Sequence, residues 1–187
     1  MGNLLAYSGL TAKVKAMQSR LITSEQMQEM AALGSVTACV EYLKRHPAYA
    51  DPLGDTQAGE LHRGAIEQHL KLSEYQDFAK LYRFSNLSQR KFLDFYFMHY
   101  EVAFLKRYLR SIISRTPFDL NLSVFQQFFD RHSSLDFTKI MGAKSLTDFI
   151  AALEGSAFYP LFTSLNRESN LSLFDYENIL DMFYFKT

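Results

Sequence analysis

Residues 88–116 read SQRKFLDFYFMHYEVAFLKRYLRSIISRT and contain neither Gly nor Pro. Apolar side chains recur in this stretch at spacings of three and four, which is the pattern of one face of an α-helix. The side chains that we assign to this apolar face are Phe92, Phe95, Tyr96, His99, Val102, Ala103, Leu109 and Ile113. Ser88 can open the helix, and Pro117 ends it because proline cannot continue a helix. The stretch therefore predicts one long helix.

The segments before and after this helix carry helix-start signals. Thr23 followed by Gln26 matches a capping box, and Ser35 can cap the helix that comes next. The sequences at 145–148 and 172–175 are both Ser-x-x-Asp starts. No segment alternates apolar and polar residues for long enough to predict a strand. The predicted fold class is all-α, a helical bundle of two similar helical units with the second incomplete.

Further helices and one loop are predicted from spacing and turn-forming residues. Apolar periodicity predicts helices at residues 4–21, 123–130 and 135–141, and one long helix or two joined helices at 56–84. Residues 51–59 include Pro52, Gly54 and Asp55, which are residue types that favour turns. This segment is therefore predicted to be a loop.

Composition excludes several classes of protein. The chain has 187 residues, 48% of them hydrophobic, with 20 basic and 20 acidic residues. A neutral chain this apolar is neither disordered nor a general nucleic-acid binder, since the latter relies on a basic surplus. Cys39 is the single cysteine, which excludes an internal disulfide and any cysteine-built zinc site. No stretch has the roughly 20 apolar residues that a membrane span needs, so we expect a soluble cytosolic protein.

The two halves of the sequence correspond when 110 is added to the residue number. Under this offset four residues of 35–49 are identical to their counterparts in 145–159, and residues 67–75 fall on 177–185. Because one offset holds across three predicted helices, we interpret the pattern as a duplicated helical unit. Each copy is predicted to contain a capped helix followed by a sharp turn. The alternative, that two amphipathic helices match by chance, stays open.

Motifs that carry enzyme chemistry are missing from the sequence. Neither the Gly-rich phosphate-binding patterns nor the Gly-x-Ser-x-Gly nucleophile pattern occurs. His62 and His69 lie seven residues apart, whereas chelation from one helix needs a separation of three or four. His99 is interpreted as a core histidine and Cys39 as a small hydrophobe. We therefore predict no catalytic site, no cofactor and no bound metal.

Positive charge is concentrated in the middle of the chain. Residues 80–115 carry 8 basic and 2 acidic residues, a net +6, whereas 1–79 carry −2 and 116–187 carry −4. Four of the cations stand near the end of the long helix, and we call them the basic belt: Lys106, Arg107, Arg110 and Arg115. The belt is either a solvated helix end balanced by the acidic flanks or a docking site for an acidic partner. The candidate partner-contact residues are Lys106, Arg107 and Arg110.

Three segments have the order and character of segments in one protein family. Residues 7–23, YSGLTAKVKAMQSRLIT, are similar to an opening that has a tyrosine, then Ala-x-(Val/Ile)-(Lys/Arg)-Ala-(Met/Leu), then Ser-Arg-Leu-(Leu/Ile)-Thr. Residues 100–110, YEVAFLKRYLR, resemble Tyr-Asp-Val-x-Asn-Leu-Lys-x-(Ile/Leu)-(Leu/Ile)-Arg, with Glu101 and Phe104 replacing the Asp and Asn. Residues 174–185, FDYENILDMFYF, resemble Phe-x-x-Glu-x-x-Leu-Asp-x-Tyr-Tyr-(Tyr/Phe). Together they resemble the C subunits of archaeal- and vacuolar-type rotary ATPases, called d subunits in eukaryotes.

The resemblance implies a connector without a catalytic site. Members of the family form a funnel of three similar helical units between the membrane rotor ring and the central shaft, and they pass torque between ion transport and ATP turnover. The implied partners are the ring proteolipid subunits and the shaft subunits, and the implied location is cytoplasmic, on the membrane sector. The domain prediction is a first unit with its long connecting helix at 1–115 and a second, truncated unit at 116–187. The alternative is a free-standing helical adaptor that has no part in a rotary motor.

The C-terminal helix adds one expectation. Under the offset of 110 its counterpart in the first unit runs further, so part of its apolar face is expected to lack a packing partner. This apolar run consists of Ile179, Leu180, Met182, Phe183 and Phe185. We expect the protein to self-associate through this end.

Overall fold

The computed structural model of the protein describes residues 2–54, 56, 62–118, 126–165 and 171–187, and for 2–6 and 127 it describes the backbone only. Within these ranges the chain forms eleven α-helices and no strand. The helices are α1 (Gly2–Gln18), α2 (Ser24–Ala31), α3 (Val36–Arg45), α4 (Ala50–Leu53), α5 (Arg63–Phe84), α6 (Leu87–Ser114), α7 (Gln126–His132), α8 (Phe137–Gly142), α9 (Leu146–Ala152), α10 (Tyr159–Leu165) and α11 (Leu173–Lys186). The predicted all-α fold class is confirmed.

The chain divides into two compact units. Unit 1 consists of Met1–Leu87 and Asn121–Phe128, and unit 2 consists of Ser88–Leu120 and Phe129–Thr187. Almost all of α6 thus packs with the second half of the chain. The domain boundary that we predict after residue 115 is based on the sequence repeat, whereas these units are defined by their compactness. The boundary stays a prediction.

Unit 1 is built around α5. Helices α1 and α4 pack against α5, and α3 packs against α4. Val40 and Leu53 are fully buried, and Tyr75 is buried by stacking on the Phe128 ring at a centroid distance of 4.4 Å. The Ser73 hydroxyl on α5 donates to the Ala48 carbonyl at 3.3 Å. The short α4 segment is thereby fixed against the middle of α5.

Unit 2 is built around the aromatic side of α6. The Phe104 ring lies 4.8 Å from the ring of Phe137, and Phe137 lies 4.5 Å from Phe129. Helices α8 to α11 then follow in order, each packed against the next. Leu105 of α6 and Leu180 of α11 are both fully buried. Since aromatic pairs at these separations attract beyond their buried area, this cluster contributes to the cohesion of unit 2.

Helix α6 does not bury the predicted face. Its buried apolar residues are Leu93, Phe97, Tyr100, Val102, Phe104, Leu105, Tyr108 and Leu109. Phe92 is 62% exposed, and Tyr96, His99 and Ala103 are exposed as well. The interpretation of His99 as a core histidine is therefore wrong. The helix is apolar around most of its circumference, so the three-and-four spacing fits more than one face.

The end of α6 follows the prediction and shows how the helix stops. The last helical residue is Ser114, just before Pro117. Arg115 has a φ of 52°, the left-handed conformation, and the Thr116 N–H donates to the Ser111 carbonyl at 3.0 Å. This bond closes the helix end in a geometry that usually has glycine at the left-handed position. One cation of the basic belt is thus part of a helix cap.

Two predicted segments differ from the structure. Residues 51–59 are predicted to be a loop, but Ala50–Leu53 form α4, and Pro52 is tolerated there because the first four N–H groups of a helix have no partner within it. The helix predicted for 56–84 begins at Arg63, and none of the predicted helices corresponds to α10. The described part of the chain leaves out residues 55 and 57–61 of these two predictions. It also leaves out residues 123–125 of the helix predicted for 123–130.

The offset of 110 is reproduced in the starts of the helices. Helices α3 and α9 begin 110 residues apart, and so do α5 and α11. The Ser35 hydroxyl accepts from the Ala38 N–H at 3.1 Å, and the Ser145 hydroxyl accepts from the Asp148 N–H at 3.1 Å. Two helix starts in different units therefore have the same cap.

The turn that follows each capped helix is also the same. The Ala48 N–H donates to His46 Nδ1 at 3.3 Å, and the Phe158 N–H donates to the Ser156 hydroxyl at 3.3 Å. His46 and Ser156 also make the same two backbone bonds, one to the carbonyl three residues before and one from the N–H three residues after. The predicted capped helix followed by a sharp turn is confirmed in both copies.

One tertiary contact repeats as well. The Ala48–Ser73 contact of unit 1 corresponds, under the offset, to Phe158 and Phe183, whose rings lie 5.5 Å apart in unit 2. The same two positions are thus joined by a hydrogen bond in one copy and by a contact between aromatic rings in the other. This argues for duplication over chance similarity, because a chance match between amphipathic helices would not extend to tertiary contacts.

We expect Ser35→Ala and Ser145→Ala each to lower the free energy of unfolding by about 1 kcal/mol, the usual effect of losing a helix N-cap. Ser35→Asp and Ser145→Asp are the matched controls, since aspartate caps as well as serine, and they should stay close to wild type. Urea denaturation measures all four. If one alanine variant were as stable as the wild type, the two helix starts would not be equivalent.

Candidate functional site

The three candidate contact residues come together at one open groove of unit 2. The groove has a volume of about 400 Å³, and its lining includes Lys106, Arg107 and Arg110 from α6 with Asp181 from α11. Val102 and Ala103 lie between the charged side chains and His99. The surface thus combines an apolar strip with three cations.

Two of these cations form ion pairs with α11. Lys106 Nζ lies 2.7 Å from Asp181 Oδ2. Arg110 donates to Glu177 Oε1 from Nη2 at 2.7 Å and from Nε at 3.2 Å. Acidic residues of the segment 116–187 therefore pair with cations of the basic belt. This agrees with the interpretation of the belt as a helix end balanced by acidic flanks.

The other two members of the basic belt have different roles. The Arg107 guanidinium lies 5.9 Å from the centre of the Phe118 ring, within the range of a cation–π contact. Arg115 belongs to the cap of α6 and is exposed. Arg107 is thus the groove cation that lies against an aromatic ring.

Helix α11 runs antiparallel to α6. Ion pairs join the two helices at one end, and a contact between aromatic rings joins them at the other. The ion pairs join Glu177 to Arg110 and Asp181 to Lys106. Residue numbers therefore rise along α11 as they fall along α6. Further along, Tyr184 stacks on Phe95 with ring centres 5.2 Å apart. The groove is bounded by these contacts between the two helices.

The net charge of the groove determines what it can attract. Lys106, Arg107 and Arg110 contribute +3, and Asp181 and Glu177 contribute −2, which leaves a net charge of +1. An acidic group of a partner could share Arg107, or compete with Glu177 for the mostly exposed Arg110. Such exposed charges contribute more to association rate and orientation than to affinity.

Glu101 is a buried acid that the sequence patterns do not single out. It points at the end of α7, where the Ser133 hydroxyl donates to its carboxylate. Burial raises the pKa of the Glu101 carboxyl, and the bond from Ser133 opposes this rise. Ser133 Oγ also accepts from the Leu135 N–H at 3.0 Å. The acid of the 100–110 segment is therefore a structural link between α6 and the turn before α8.

Tyr108 makes a second link of this kind. Its hydroxyl lies 2.6 Å from the Met141 carbonyl and 3.0 Å from the Ala143 carbonyl, at the end of α8. Burial raises the pKa of this hydroxyl, so it remains a donor. Phe104 is buried in the aromatic cluster. The 100–110 segment thus fixes the core of unit 2 while its cations line the groove.

The described residues offer little for other kinds of site. Among them no three His, Cys, Asp or Glu side chains are grouped so that they could hold a metal ion. Cys39 is half-buried, with Sγ 3.6 Å from the Met30 carbonyl. His69 is half-buried too, and its Nδ1 lies 2.8 Å from the Pro52 carbonyl. In the same part of the chain, no helix is both long enough and apolar enough to cross a bilayer.

We expect Glu101→Gln to be more stable than the wild type at neutral pH. Because the folded pKa of Glu101 is raised, its contribution to stability is full below the unfolded pKa and is lost as pH rises through the folded pKa. Glutamine carries no charge to desolvate and keeps an oxygen that accepts from Ser133. Urea unfolding between about pH 4 and about pH 8 measures the difference.

The gain from Glu101→Gln should grow as pH rises, which distinguishes it from a packing effect. Glu154→Gln is the matched control, because Glu154 is an exposed acid in the same unit. A Glu101→Gln effect that is constant across this pH range would show that the charge of Glu101 does not matter.

Comparison with models of protein families gives a match over most of the chain. The family model described as ATP synthase (C/AC39) subunit matches residues 10–187, which include all of unit 2, most of unit 1 and all of the 100–110 and 174–185 segments. No curated protein and no solved structure matches the chain. Because the matched range covers nearly the whole sequence, the chain belongs to the ATP synthase (C/AC39) subunit family of V/A-type rotary ATPases.

Proposed function

We propose that this protein is the non-catalytic connector of a V/A-type ATPase central stalk, joining the membrane rotor ring to the central shaft. The observation that carries the proposal is the family match over residues 10–187. Its partners would be ring proteolipid subunits and shaft subunits, and it would lie on the cytoplasmic side, peripheral to the membrane sector. In this role the protein transmits torque for ion transport and performs no ATP chemistry of its own.

Stiffness in unit 2 supports a torque-transmitting role. Helix α6 has 28 residues, which corresponds to about 42 Å at 1.5 Å per residue. It is fixed to α8 through Tyr108 and to α11 through the two ion pairs. A long helix anchored at several points bends less than an isolated one, because bending must break these contacts.

The groove cations are the proposed contact with an acidic surface of a partner protein. Arg107 is exposed and lines the groove, where it lies against the Phe118 ring, and Lys106 and Arg110 pair with α11. We expect Arg107 to meet the partner's acid because it is an exposed cation that lines the groove, and we expect its two neighbours to orient α11. A charge reversal at Arg107 disturbs the contact and leaves the ion pairs of Lys106 and Arg110 in place.

The test is co-purification with rotor-ring and shaft subunits of a rotary ATPase. Wild-type protein should retain both, and Arg107→Glu should weaken retention about tenfold, equivalent to about 1.4 kcal/mol. Lys91→Glu is the matched control, since Lys91 is exposed on the same helix but away from the groove. Retention of neither ring nor shaft would contradict the connector function. Equal loss with both variants would contradict only the contact assigned to Arg107.

The exposed end of α11 supports the proposed self-association. Under the offset of 110 Phe185 corresponds to Tyr75, which is 8% exposed because Phe128 covers it, whereas Phe185 is 80% exposed. Phe174 and Met182 are also exposed, and Leu180 is buried within the unit. A second copy that presents the same apolar face would cover these side chains, and two such faces can pair symmetrically.

We expect Phe185→Asp to abolish self-association, as measured by light scattering over a range of protein concentrations. Phe185 is a better position than Phe183, since the Phe183 ring packs on Phe158 and its loss would disturb the fold. Met141→Asp, at an exposed apolar residue elsewhere in unit 2, should leave association unchanged. A wild-type protein that is monomeric at all concentrations would contradict the proposal.

A further inference from the structure

A small pocket of unit 1 lies where three elements meet. Its lining comes from α1 and the turn after it, from residues 47–51 at the start of α4, and from α5. Helices α1 and α4 both pack against α5, so the walls of the pocket are held in place. The volume of the pocket is about 80 Å³. Since one water needs about 10–15 Å³ of such space, the pocket has room for about five atoms of that size.

The lining of this pocket is rich in charge of both signs. Lys13, Arg20 and Lys80 contribute +3, and Asp51 and Asp77 contribute −2, which leaves a net charge of +1. Lys80 Nζ lies 2.9 Å from Asp77 Oδ1, so these two charges on α5 offset each other. Two cations from the α1 side and one carboxylate from α4 remain.

The three remaining charges do not pair with one another. In the part of the chain that the structure describes, the side chains of Lys13, Arg20 and Asp51 make no hydrogen bond and no ion pair. Gln76, which lines the same pocket from α5, makes none there either. Because these groups share one pocket without bonding across it, a small ligand between them can contact two cations, an acceptor and an amide at once.

We propose that this pocket binds inorganic phosphate. A phosphorus with its oxygens amounts to about five atoms, which matches the volume. The fork of the Arg20 guanidinium can donate to two phosphate oxygens, and the Lys13 ammonium can donate to another. Inorganic phosphate keeps a proton near neutral pH, so it can also donate to the Asp51 carboxylate, which only accepts.

Other small ligands fit this lining less well. Sulfate has a similar size and charge but carries no proton near neutral pH, so the Asp51 carboxylate repels it and finds no donor. A divalent cation meets a net positive lining, in which Asp77 is already paired with Lys80. An amino acid can satisfy charges of both signs, but it is neutral overall and gains less from a pocket of net charge +1.

The test is isothermal titration calorimetry of the full-length protein with inorganic phosphate, sulfate and glycerol phosphate. At about pH 7.5 the ester has lost its last proton, since the second pKa of such a phosphate is about 6. We expect phosphate to bind about tenfold more tightly than either competitor, because only phosphate offers Asp51 a donor. The measurement needs no rotary-ATPase subunit, so its outcome does not depend on the connector function.

Two variants on the α1 side test the role of Arg20. Arg20→Gln should weaken phosphate binding about tenfold, because the charged fork is lost. Lys15→Gln is the matched control, since Lys15 is exposed on α1 and does not line the pocket. An equal effect of the two substitutions would show a general attraction of anions to this end of the chain and would overturn the proposal.

Asp51→Asn keeps the test decisive because its expected effect is a gain. Asparagine carries no charge and its amide can donate, so sulfate should bind this variant about tenfold more tightly than it binds the wild type. Poor folding cannot produce such a gain. No phosphate binding, or equal binding of phosphate and sulfate by the wild type, would overturn the proposal. Tighter binding of glycerol phosphate would overturn it in favour of a phosphate monoester, the chemistry of some lipid headgroups.

Discussion

Burial of one aromatic face of α6 is the constraint on which the rest of unit 2 depends. This helix presents large apolar side chains in almost every direction, and only one side of it can be covered by the short helices that follow. The side that is covered carries Phe97, Phe104 and Tyr108, which meet rings from α7, α8 and α9. Once these rings are packed, the cations of α6 are left at the boundary with α11. The groove is therefore a result of how the core is filled.

Local requirements of the backbone explain why two units with different cores share local structure. A helix start needs a side-chain oxygen that accepts from a backbone N–H of the first turn. A sharp turn of this kind needs a side-chain acceptor two residues before the backbone N–H that donates to it. Ser35 and Ser145 meet the first need, and His46 and Ser156 meet the second. Because these needs are local, the surrounding apolar residues can change without moving the backbone. The same positions can then hold a serine in one copy and a phenylalanine in the other, as at Ser73 and Phe183.

The sequence was sufficient for the fold class, most helix starts and the repeat, because each of these depends on residues close together in the chain. It was insufficient for the buried face of α6, since a helix with apolar residues on most sides gives no single periodicity. The link from Glu101 to Ser133 joins residues 32 positions apart, and no spacing rule predicts it. The three groove cations were found from charge density alone. Their pairing with Asp181 and Glu177 depends on the antiparallel placement of α11, which is a tertiary property.

The repeated turn has a consequence for which side chains its positions accept. In unit 1 the acceptor in this turn is the imidazole of His46, and the ring of His62 caps α5 by accepting from the Ala65 N–H. An imidazole nitrogen and a hydroxyl oxygen can both accept from a backbone N–H, so neither position requires one particular side chain. In unit 2 the turn uses the Ser156 hydroxyl, and α11 starts with the Asp175 carboxylate, whose pKa is lowered by its bonds to Ser172. The backbone pattern common to the two copies thus fixes where an acceptor stands and leaves its chemistry free to differ.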